Sequence, residues 1–342
     1  MSAGQETSGK GLLMAIDVGN THTVIGLLDG EELLRHWRIA TEPERTADEY
    51  GMLVWSLFQA SGMPVPDVRG VIISCVVPPM IRVVEALCRD YFHVSPIVVG
   101  PGIKTGMPVR YENPHEVGAD RIVNAVAAYE RTGGVSIVVD FGTATTFDYV
   151  TDKGEYLGGV IVPGIGISLD ALYERAAKLP RVEIVRPPRV IGRNTAHAIQ
   201  SGIVHGYVEL VDGVVRHIQD EEGVEARVLA TGGLAPLIAQ ESRTIQEVDE
   251  FLTINGLRTF ALTGETDDII AVVNGSDTKS LCLEPAHNTT RVHTVRCTKG
   301  SQRWRWNSAK RQIESESTCL AVVNMNTTAC PSTFNNQPQP RT

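Results

Sequence analysis

The stretch Asp17-Val18-Gly19-Asn20-Thr21 ends an apolar run at residues 12–16, and Asp140-Phe141-Gly142-Thr143-Ala144-Thr145 ends a second run at 136–139. A β-prone run that stops at Asp-x-Gly is typical of a buried strand followed by a tight turn. The glycine lets backbone N–H groups approach a ligand, and the hydroxyls after it add donors, so the turn favours phosphate oxygens. The aspartate repels phosphate and favours a cation. Two such loops predict a clamp for a polyphosphate and its metal ion.

The composition is that of an ordinary globular protein. The chain has 342 residues, of which 42% are hydrophobic and 21% charged, and this length predicts about two domains. The net charge of −9 argues against non-specific binding to nucleic acid or an anionic membrane. No stretch approaches the ~20 apolar residues of a membrane span, and the polar residues 1–10 do not resemble a signal peptide. We therefore expect a cytoplasmic protein with no nucleic-acid or membrane partner.

The two loops open two similar runs of secondary structure. After the first loop, the spacing predicts strands at 23–28 and 32–39, joined by a turn at Asp29-Gly30, and then helices and strands in alternation. The second half repeats the three-stranded meander, and its later strand at 227–230 leads into Thr231-Gly232-Gly233. Glycines at such a turn allow a flat ligand, such as a nucleobase, to approach the backbone. The pattern predicts an α/β protein made of two related halves.

The segment Gly118-Ala119-Asp120-Arg121 lies near the start of a helix that the spacing predicts at about 116–131, just before the second loop. An aspartate in a first helical turn is often only a partner for the helix dipole. Here Arg121 follows it directly, and an arginine can hold a carboxylate through two hydrogen bonds. Tyr111-Glu112-Asn113-Pro114 is expected to lie against the same helix end. These residues predict a pocket for a small acidic substrate, with Asp120 as the base that accepts a hydroxyl proton.

Together these motifs resemble the phosphate-1, phosphate-2 and adenosine motifs of the sugar-kinase, Hsp70 and actin superfamily, and within it the type III pantothenate kinase family. The order and spacing hold from about residue 12 to residue 257. The resemblance is strengthened by three further segments, Gly158-Gly159-Val160-Ile161-Val162-Pro163-Gly164, Asn194-Thr195 and Gln200-Ser201-Gly202. It implies an actin-like ATPase fold of two duplicated ribonuclease-H-like halves, at 12–115 and 116–260, with a cleft between them.

The resemblance also implies a function and a set of site residues. The function is ATP-dependent phosphorylation of pantothenate, the first step of coenzyme A biosynthesis, in a homodimer. Asp120 would be the proton acceptor, Asp17 would lie near Mg²⁺, Asp140 would bind a monovalent cation (K⁺ or NH₄⁺), and Thr143 would contact ATP. The residues implied to hold the ATP phosphates are Asp17, Val18, Gly19, Asn20, Thr21, His22, Thr23 and Val24. Those implied to contact pantothenate are Tyr111, Gly118, Ala119, Asp120, Arg121 and Thr195.

Two alternatives to this function remain open. Relatives on the same fold act as non-catalytic accessory regulators of transcription, and other kinases phosphorylate a different small hydroxy acid or a sugar. The presence of Asp17, Asp120, Arg121 and Asp140 favours a catalyst over a regulator.

The family pattern does not extend over residues 261–342. This tail carries 9 Lys+Arg against 7 Asp+Glu, so its charge is opposite in sign to that of the rest of the chain. It is rich in Asn, Thr and Ser and lacks clear periodicity, a composition typical of segments that do not form a packed core. We expect an atypical, poorly ordered appendage.

Overall fold

The computed structural model describes residues 12–62, 68–100 and 106–263, together with the backbone of three short strands near the end of the chain. Contacts divide the chain into two units, Met1–Phe260 and Ala261–Thr342. Each unit is described by itself. The first unit contains every residue that the sequence places in the candidate site.

The first unit begins with a five-stranded sheet in the order β3-β2-β1-β4-β5. Strands β1, β2 and β3 form the predicted antiparallel meander, while β4 runs parallel to β1 and β5 parallel to β4. The strands are β1 (Leu12–Val18), β2 (His22–Asp29), β3 (Glu32–Ala40), β4 (Val68–Cys75) and β5 (Ile97–Val99).

A second five-stranded sheet repeats the first. Its order is β10-β9-β6-β7-β8, in which β6, β7 and β8 form an antiparallel meander and β9 and β10 continue in parallel. Its strands are β6 (Ser136–Phe141), β7 (Ala144–Val150), β8 (Tyr156–Pro163), β9 (Arg227–Thr231) and β10 (Glu247–Val248). The same order and the same directions occur in both sheets, which confirms the predicted α/β fold of two duplicated, ribonuclease-H-like halves.

Seven α-helices lie in the described part of the chain, and their starts follow local signals. Thr46 caps α1 and forms a capping box with Glu49, while the Asn194 side chain accepts a hydrogen bond from the backbone of His197 at the start of α5. The helices are α1 (Ala47–Ala60), α2 (Pro78–Phe92), α3 (Ala119–Thr132), α4 (Ile165–Arg175), α5 (Thr195–Glu222), α6 (Ala235–Ala239) and α7 (Leu252–Thr263). None of them is long and apolar enough to span a membrane.

Separate apolar cores hold helices against one face of each sheet. Phe58 of α1 belongs to the core of the first sheet, and Val211 of α5 belongs to the core of the second. Since side chains alternate along a strand, Asp17 and Asp140 point away from these cores. On that other face, α3 packs against β6 and β9 beside Leu252 of α7. The two aspartates therefore face the space between the halves.

Helix α3 begins later than its sequence pattern predicts. We expect a start near residue 116, but Pro114–Glu116 form a short 3₁₀ turn and α3 begins at Ala119. Val117 between them is extended, with φ −80° and ψ 123°. The shift brings Asp120 into the first turn of the helix, beside the cleft.

The second unit is described only by three strands, β11 (Trp304–Asn307), β12 (Gln312–Ser315) and β13 (Leu320–Val322). They pair as an antiparallel sheet in the order β11-β12-β13. The other residues of the tail after 263, for which poor order is expected, lie outside the described residues. The predicted boundaries at 115/116 and 260/261 remain predictions.

Candidate active site

A cleft of about 590 Å³ opens between the two halves of the first unit. Asp17 and Asp140, at the ends of the equivalent strands β1 and β6, both line it. The hydroxyls of Thr21 and Thr143, one from each loop, lie 2.9 Å apart and form a hydrogen bond. The predicted site residues that line the cleft are Asp17, Gly19, Asn20, Thr21, His22, Val24, Asp120, Asp140, Thr143 and the turn at 231–233. The two loops thus meet across one cleft.

The loops share a design but differ in length. Asp17 pairs with Val24, seven residues on, whereas Asp140 pairs with Thr146, six residues on. The turns are closed by hydrogen bonds from the N–H of Gly19 to the carbonyl of His22 and from the N–H of Gly142 to the carbonyl of Ala144, each 3.0 Å long. The first loop is therefore one residue longer than the second, and its residues Asn20, Thr21 and His22 are all exposed.

Three of the carboxylates that line the cleft, those of Asp17, Asp120 and Asp140, have raised pKa values. Burial, followed by the charges of Asp120 and Asp140, raises the pKa of Asp17 from 3.8 to about 8. Burial and the charges of Asp120 and Asp148 raise the pKa of Asp140 to about 7, and burial also raises the pKa of Asp120. Groups that repel one another in a poorly solvated site are stabilised in their charged form by a cation. The site fits a metal ion that enters with the phosphates.

Asp120 is placed by the start of α3. Its Oδ1 accepts a hydrogen bond of 2.8 Å from the backbone N–H of Arg121. A side chain at Gly118 would put its Cβ 2.5 Å from the same oxygen, so the glycine leaves room for the carboxylate. The carboxylate lines the same cleft as both loops.

Arg121 is part of a buried polar cluster next to the cleft. Its Nε donates to Asp148 Oδ1 at 2.7 Å, and the hydroxyl of Tyr156 donates to the same oxygen at 2.8 Å. Asp148 is fully buried, and burial raises its pKa to about 6 even though Arg121 lowers it. The Nη2 of Arg121 has no hydrogen-bond partner and lies 3.1 Å from the position of a Cβ on the exposed Gly159. One buried guanidinium nitrogen is therefore unsatisfied among the described residues, but Arg121 is not among the residues that line the cleft.

The other predicted substrate residues divide between this cluster and a more distant surface. Tyr111 lies along the neighbouring glycine of β8, with its ring carbon Cε2 3.2 Å from the position of a Cβ on Gly158. Gly118 caps α3 and Ala119 is its first residue. Thr195, the first residue of α5, is exposed and is not among the residues that line the cleft of a single chain.

Two residues of the first loop have a structural position. Val18 is fully buried in the core of the first sheet. Thr23 is buried, and its hydroxyl forms a hydrogen bond of 2.9 Å with that of Thr41. These two residues anchor the ends of the loop, while residues 19–22 between them line the cleft.

The glycine turn at 231–233 closes the far end of the cleft. Gly232 has φ +92°, and a Cβ there would lie 2.6 Å from the carbonyl oxygen of Phe141 and 2.9 Å from Asp140 Oδ1. Only glycine tolerates both this backbone conformation and this close approach. The turn is therefore built against the second loop, where the predicted nucleobase contact requires it.

The structure adds charged residues that the sequence motifs do not include. Arg38 on β3, Asp170 on α4 and Glu250 before α7 all line the cleft. None belongs to a recognisable motif. Arg38 could be identified only from the strand register, because it pairs with Val24, which in turn pairs with Asp17.

A cleft between duplicated halves, lined by a glycine-containing loop from each half and by the carboxylate of Asp120, is the arrangement expected of an ATP-dependent kinase of the actin-like ATPase fold. The model of the type III pantothenate kinase family matches residues 13–217. The type III pantothenate kinases of Pelobacter propionicus and Myxococcus xanthus are 60% and 58% identical over 247 residues, which cover 72% of this chain and 97% and 96% of theirs. The chain belongs to the type III pantothenate kinase family.

Among solved structures, the chain is similar to a putative Baf family transcriptional activator from Campylobacter jejuni, with 16% identity, a TM-score of 0.48, and coverage of 73% of this chain and 98% of that one. It is also similar to an inorganic polyphosphate/ATP-glucomannokinase from an Arthrobacter species, with 16% identity, a TM-score of 0.41, and coverage of 74% and 100%.

Proposed function

We propose that the chain phosphorylates the primary hydroxyl of pantothenate with ATP, the first step of coenzyme A biosynthesis, and that Asp120 is the general base. The observation that carries the proposal is the hydrogen bond between Thr21 and Thr143. It brings the two phosphate loops together at a cleft that Asp120 also lines. Phosphoryl transfer needs little more than in-line positioning, charge stabilisation and a base for the nucleophile.

The residues of the chain divide these tasks. Backbone N–H groups and hydroxyls of the two loops, including Thr143, hold the phosphates in the cleft. Asp120 accepts the proton of the acceptor hydroxyl as its oxygen attacks the γ-phosphorus, and burial makes this carboxylate a stronger base by raising its pKa. Arg121, whose Nη2 has no partner, offers a hydrogen bond to the substrate carboxylate, and Tyr111 flanks the same site.

The metal ions of the proposal fit the carboxylates that are present. Among the described residues, no group of three or more His, Cys, Asp or Glu side chains could hold a metal ion alone. Mg²⁺ in kinase sites is bound through one or two carboxylates and the substrate phosphates, and Asp17 is the proposed carboxylate. When bound, Mg²⁺ would neutralise phosphate charge during transfer.

Asp140 is the proposed site for a monovalent cation, K⁺ or NH₄⁺. Its Oδ2 accepts a hydrogen bond of 3.1 Å from Asn124. Its Oδ1 faces Gly142 of the second loop and Gly232 of the turn at 231–233, which we call the adenosine turn. One carboxylate oxygen therefore remains for a cation at the place where the nucleotide is proposed to bind.

The exposed apolar residues of the second half support the proposed homodimer. Ile161 on the edge strand β8 is 60% exposed, and Val190 and Ile191, before α5, are 67% and 82% exposed. Contiguous exposed apolar side chains often mark an interface, and Val190 and Ile191 are adjacent in the chain. Thr195 lies just beyond them, so a dimer with substrate near the interface would give this residue a route to a substrate site. Function in the cytoplasm remains a prediction.

The test is ATP turnover with pantothenate in potassium, ammonium or choline chloride, with the product identified by mass spectrometry as 4'-phosphopantothenate. Other small hydroxy acids and sugars serve as competing acceptors. We expect turnover with pantothenate that rises with potassium or ammonium. Turnover only with another acceptor would replace the proposed substrate, and no turnover with any acceptor would favour the accessory regulator.

A further inference from the structure

The cleft carries an excess of negative charge for a site that receives a triphosphate. Its lining contains five carboxylates and, among the residues that the structure describes, a single Lys or Arg, which is Arg38. The carboxylates are Asp17, Asp120, Asp140, Asp170 and Glu250. Transfer of a phosphoryl group needs fixed positive charge near the phosphate oxygens, where preorganised groups have large effects on rate. Arg38 is the protein's own source of that charge in the cleft.

The strand register directs Arg38 to the phosphate loops. Asp17 pairs with Val24 across β1 and β2, and Val24 pairs with Arg38 across β2 and β3. Directly paired residues point to the same face of a sheet, so Arg38 shares the cleft face with Asp17, about 10 Å away across two strand spacings. The opposite face at this point is core, because Trp37 packs on Phe58 with ring centroids 4.7 Å apart.

The guanidinium of Arg38 reaches the other half of the cleft. Its Nη1 lies 3.1 Å from the position of a Cβ on Gly233, in the adenosine turn. The guanidinium thus lies at the turn at 231–233, and Arg38 lines the same cleft as the two loops where the γ-phosphate is proposed to bind. Its charge lowers the pKa of both Asp17 and Asp140, so its field reaches both loops.

Arg38 is not held as a structural ion pair in the described part of the chain. Its side chain is exposed, and the carboxylates whose pKa values it lowers, Asp17 and Asp140, form no ion pair with it among the described residues. In contrast, Arg121 is fixed on Asp148 at 2.7 Å. An arginine that projects into a phosphate cleft with its donors unoccupied suits a ligand with several acceptor oxygens.

We propose that Arg38 is a further nucleotide-binding and catalytic residue, whose guanidinium binds the α- or β-phosphate oxygens of ATP. As the acceptor oxygen bonds to the γ-phosphorus, the bond from that phosphorus to the β–γ bridging oxygen breaks, and its electron pair stays on ADP. Arg38 stabilises this developing negative charge while Asp120 takes the hydroxyl proton. The inference rests on the proposed function only in placing ATP in this cleft.

The test compares Arg38→Met with Arg38→Lys and with Arg35→Met. Arg35 is a matched control, because it is an exposed arginine on the same strand that does not line the cleft. Affinities for ATP, ADP and adenosine are measured by calorimetry without pantothenate, and kcat is measured separately. Arg38→Gln is made alongside, so that poor folding of one variant leaves another to decide.

We expect Arg38→Met to weaken binding of ATP and ADP about tenfold or more, the loss of roughly one charged hydrogen bond. Its kcat should fall about 10²-fold, while adenosine binding stays unchanged. Arg38→Lys should recover part of both losses, and Arg35→Met should match the wild type. Wild-type affinities and kcat in Arg38→Met would overturn the proposal, as would an equal loss for adenosine, which would assign Arg38 to the support of the Gly233 turn.

The binding measurements separate this inference from the proposed function. A wild-type protein that binds ATP but does not phosphorylate pantothenate would refute the proposed substrate. The difference between ATP and adenosine in Arg38→Met would still decide the role of Arg38.

Discussion

The two halves have the same topology, yet they fill the equivalent position on their second strand in opposite ways. In the first half this position is Gly26, where a Cβ would lie 2.6 Å from the Ile254 side chain of α7. In the second half it is Asp148, which is paired with Arg121 of α3. One sheet is therefore covered by an apolar contact and the other by a buried ion pair. The two halves therefore share a scaffold but differ in the residue that occupies this equivalent position.

The third strands differ in the same way. In the first half Asp17 pairs with Val24, which pairs with Arg38 on the third strand. In the second half Asp140 pairs with Thr146, which pairs with Ile161. The first half thereby contributes a cation to the cleft, while the second contributes an exposed apolar residue on an edge strand.

The largest effect is expected from removal of the proposed base, Asp120, which lies in the first turn of α3. Asp120→Asn should lower kcat on the order of 10²–10⁴-fold, because an amide cannot accept the hydroxyl proton. ATP should still bind, since the loops are unchanged. Steady-state kinetics together with calorimetric ATP binding make the test, and a near-wild-type kcat would remove Asp120 from this role.

The next effect should appear in the stability of the second half. Asp148→Asn leaves the charge of Arg121 buried without its partner, and we expect a loss of about 3–5 kcal/mol in the free energy of unfolding. Adding Arg121→Met removes that charge and imitates the apolar contact of the first half, so most of the stability should return while the pantothenate KM stays high. Urea denaturation and kinetics measure the two results.

The control for this ion pair is a surface pair that also involves a carboxylate of the second half. Arg110 and Glu155 are 2.6 Å apart, but the Arg110 side chain is 60% exposed. Glu155→Gln should therefore cost less than about 1 kcal/mol. If Asp148→Asn and Glu155→Gln lowered the free energy of unfolding equally, the buried ion pair would contribute no more to stability than the exposed one.

Much of the fold of the two halves could be predicted from the sequence, because the signals that determine the loops and helix ends are local. Each loop follows a β-prone run, Thr46 and Asn194 mark helix starts, and Gly133 ends α3 in the left-handed conformation that sequence rules associate with a helix end. Signals of this kind depend on a few neighbouring residues, so they survive without any knowledge of tertiary structure. The start of α3 was misplaced because Pro114 begins a separate 3₁₀ turn.

Arg38 could not be predicted because its orientation depends on an irregularity in the hairpin. Near the turn Leu28 pairs with Leu33, but beyond a shift between Leu27 and Leu28 the register moves by one residue. A regular register would have paired Val24 with Trp37 and directed the arginine to the core face, since a slip of one residue exchanges the two faces of a strand. The pair of Arg121 with Asp148 was missed because it joins two elements 27 residues apart.

A smaller loss of stability is expected where α5 contacts residues 242–244, the segment that leads into the edge strand β10 of the second sheet. Asp212 of α5 accepts hydrogen bonds from the Ser242 hydroxyl at 2.6 Å, the Thr244 hydroxyl at 2.8 Å and the backbone of Arg243 at 3.0 Å. Asp212→Asn should lower the free energy of unfolding by about 2 kcal/mol, because these bonds are made to a charged group. Asp220→Asn, at an exposed site on the same helix, should change it little.

The pH dependence of this contribution gives a second readout. The hydrogen bonds hold the pKa of Asp212 below its ordinary value of 3.8, although burial opposes them. A group with a lowered pKa stabilises the folded state above its unfolded pKa and loses that effect as the pH falls through the folded value. The stability difference between wild type and Asp212→Asn should be constant from pH 7 to about pH 5 and shrink below about pH 4. A difference that grows on acidification would contradict the assignment.

The smallest expected effect separates the two loop aspartates, which the duplication makes equivalent in position. Asp140→Ala should raise the ATP KM about tenfold, the loss of roughly one charged contact, and should abolish activation by potassium or ammonium. Asp17→Ala should leave any residual turnover still responsive to these ions, because Asp17 is proposed to serve Mg²⁺. Initial rates across a titration of potassium chloride, with choline chloride keeping the ionic strength constant, distinguish the two variants. If Asp140→Ala kept the wild-type response to potassium, the monovalent ion would bind elsewhere, and the halves would share the metal rather than divide the cations between them.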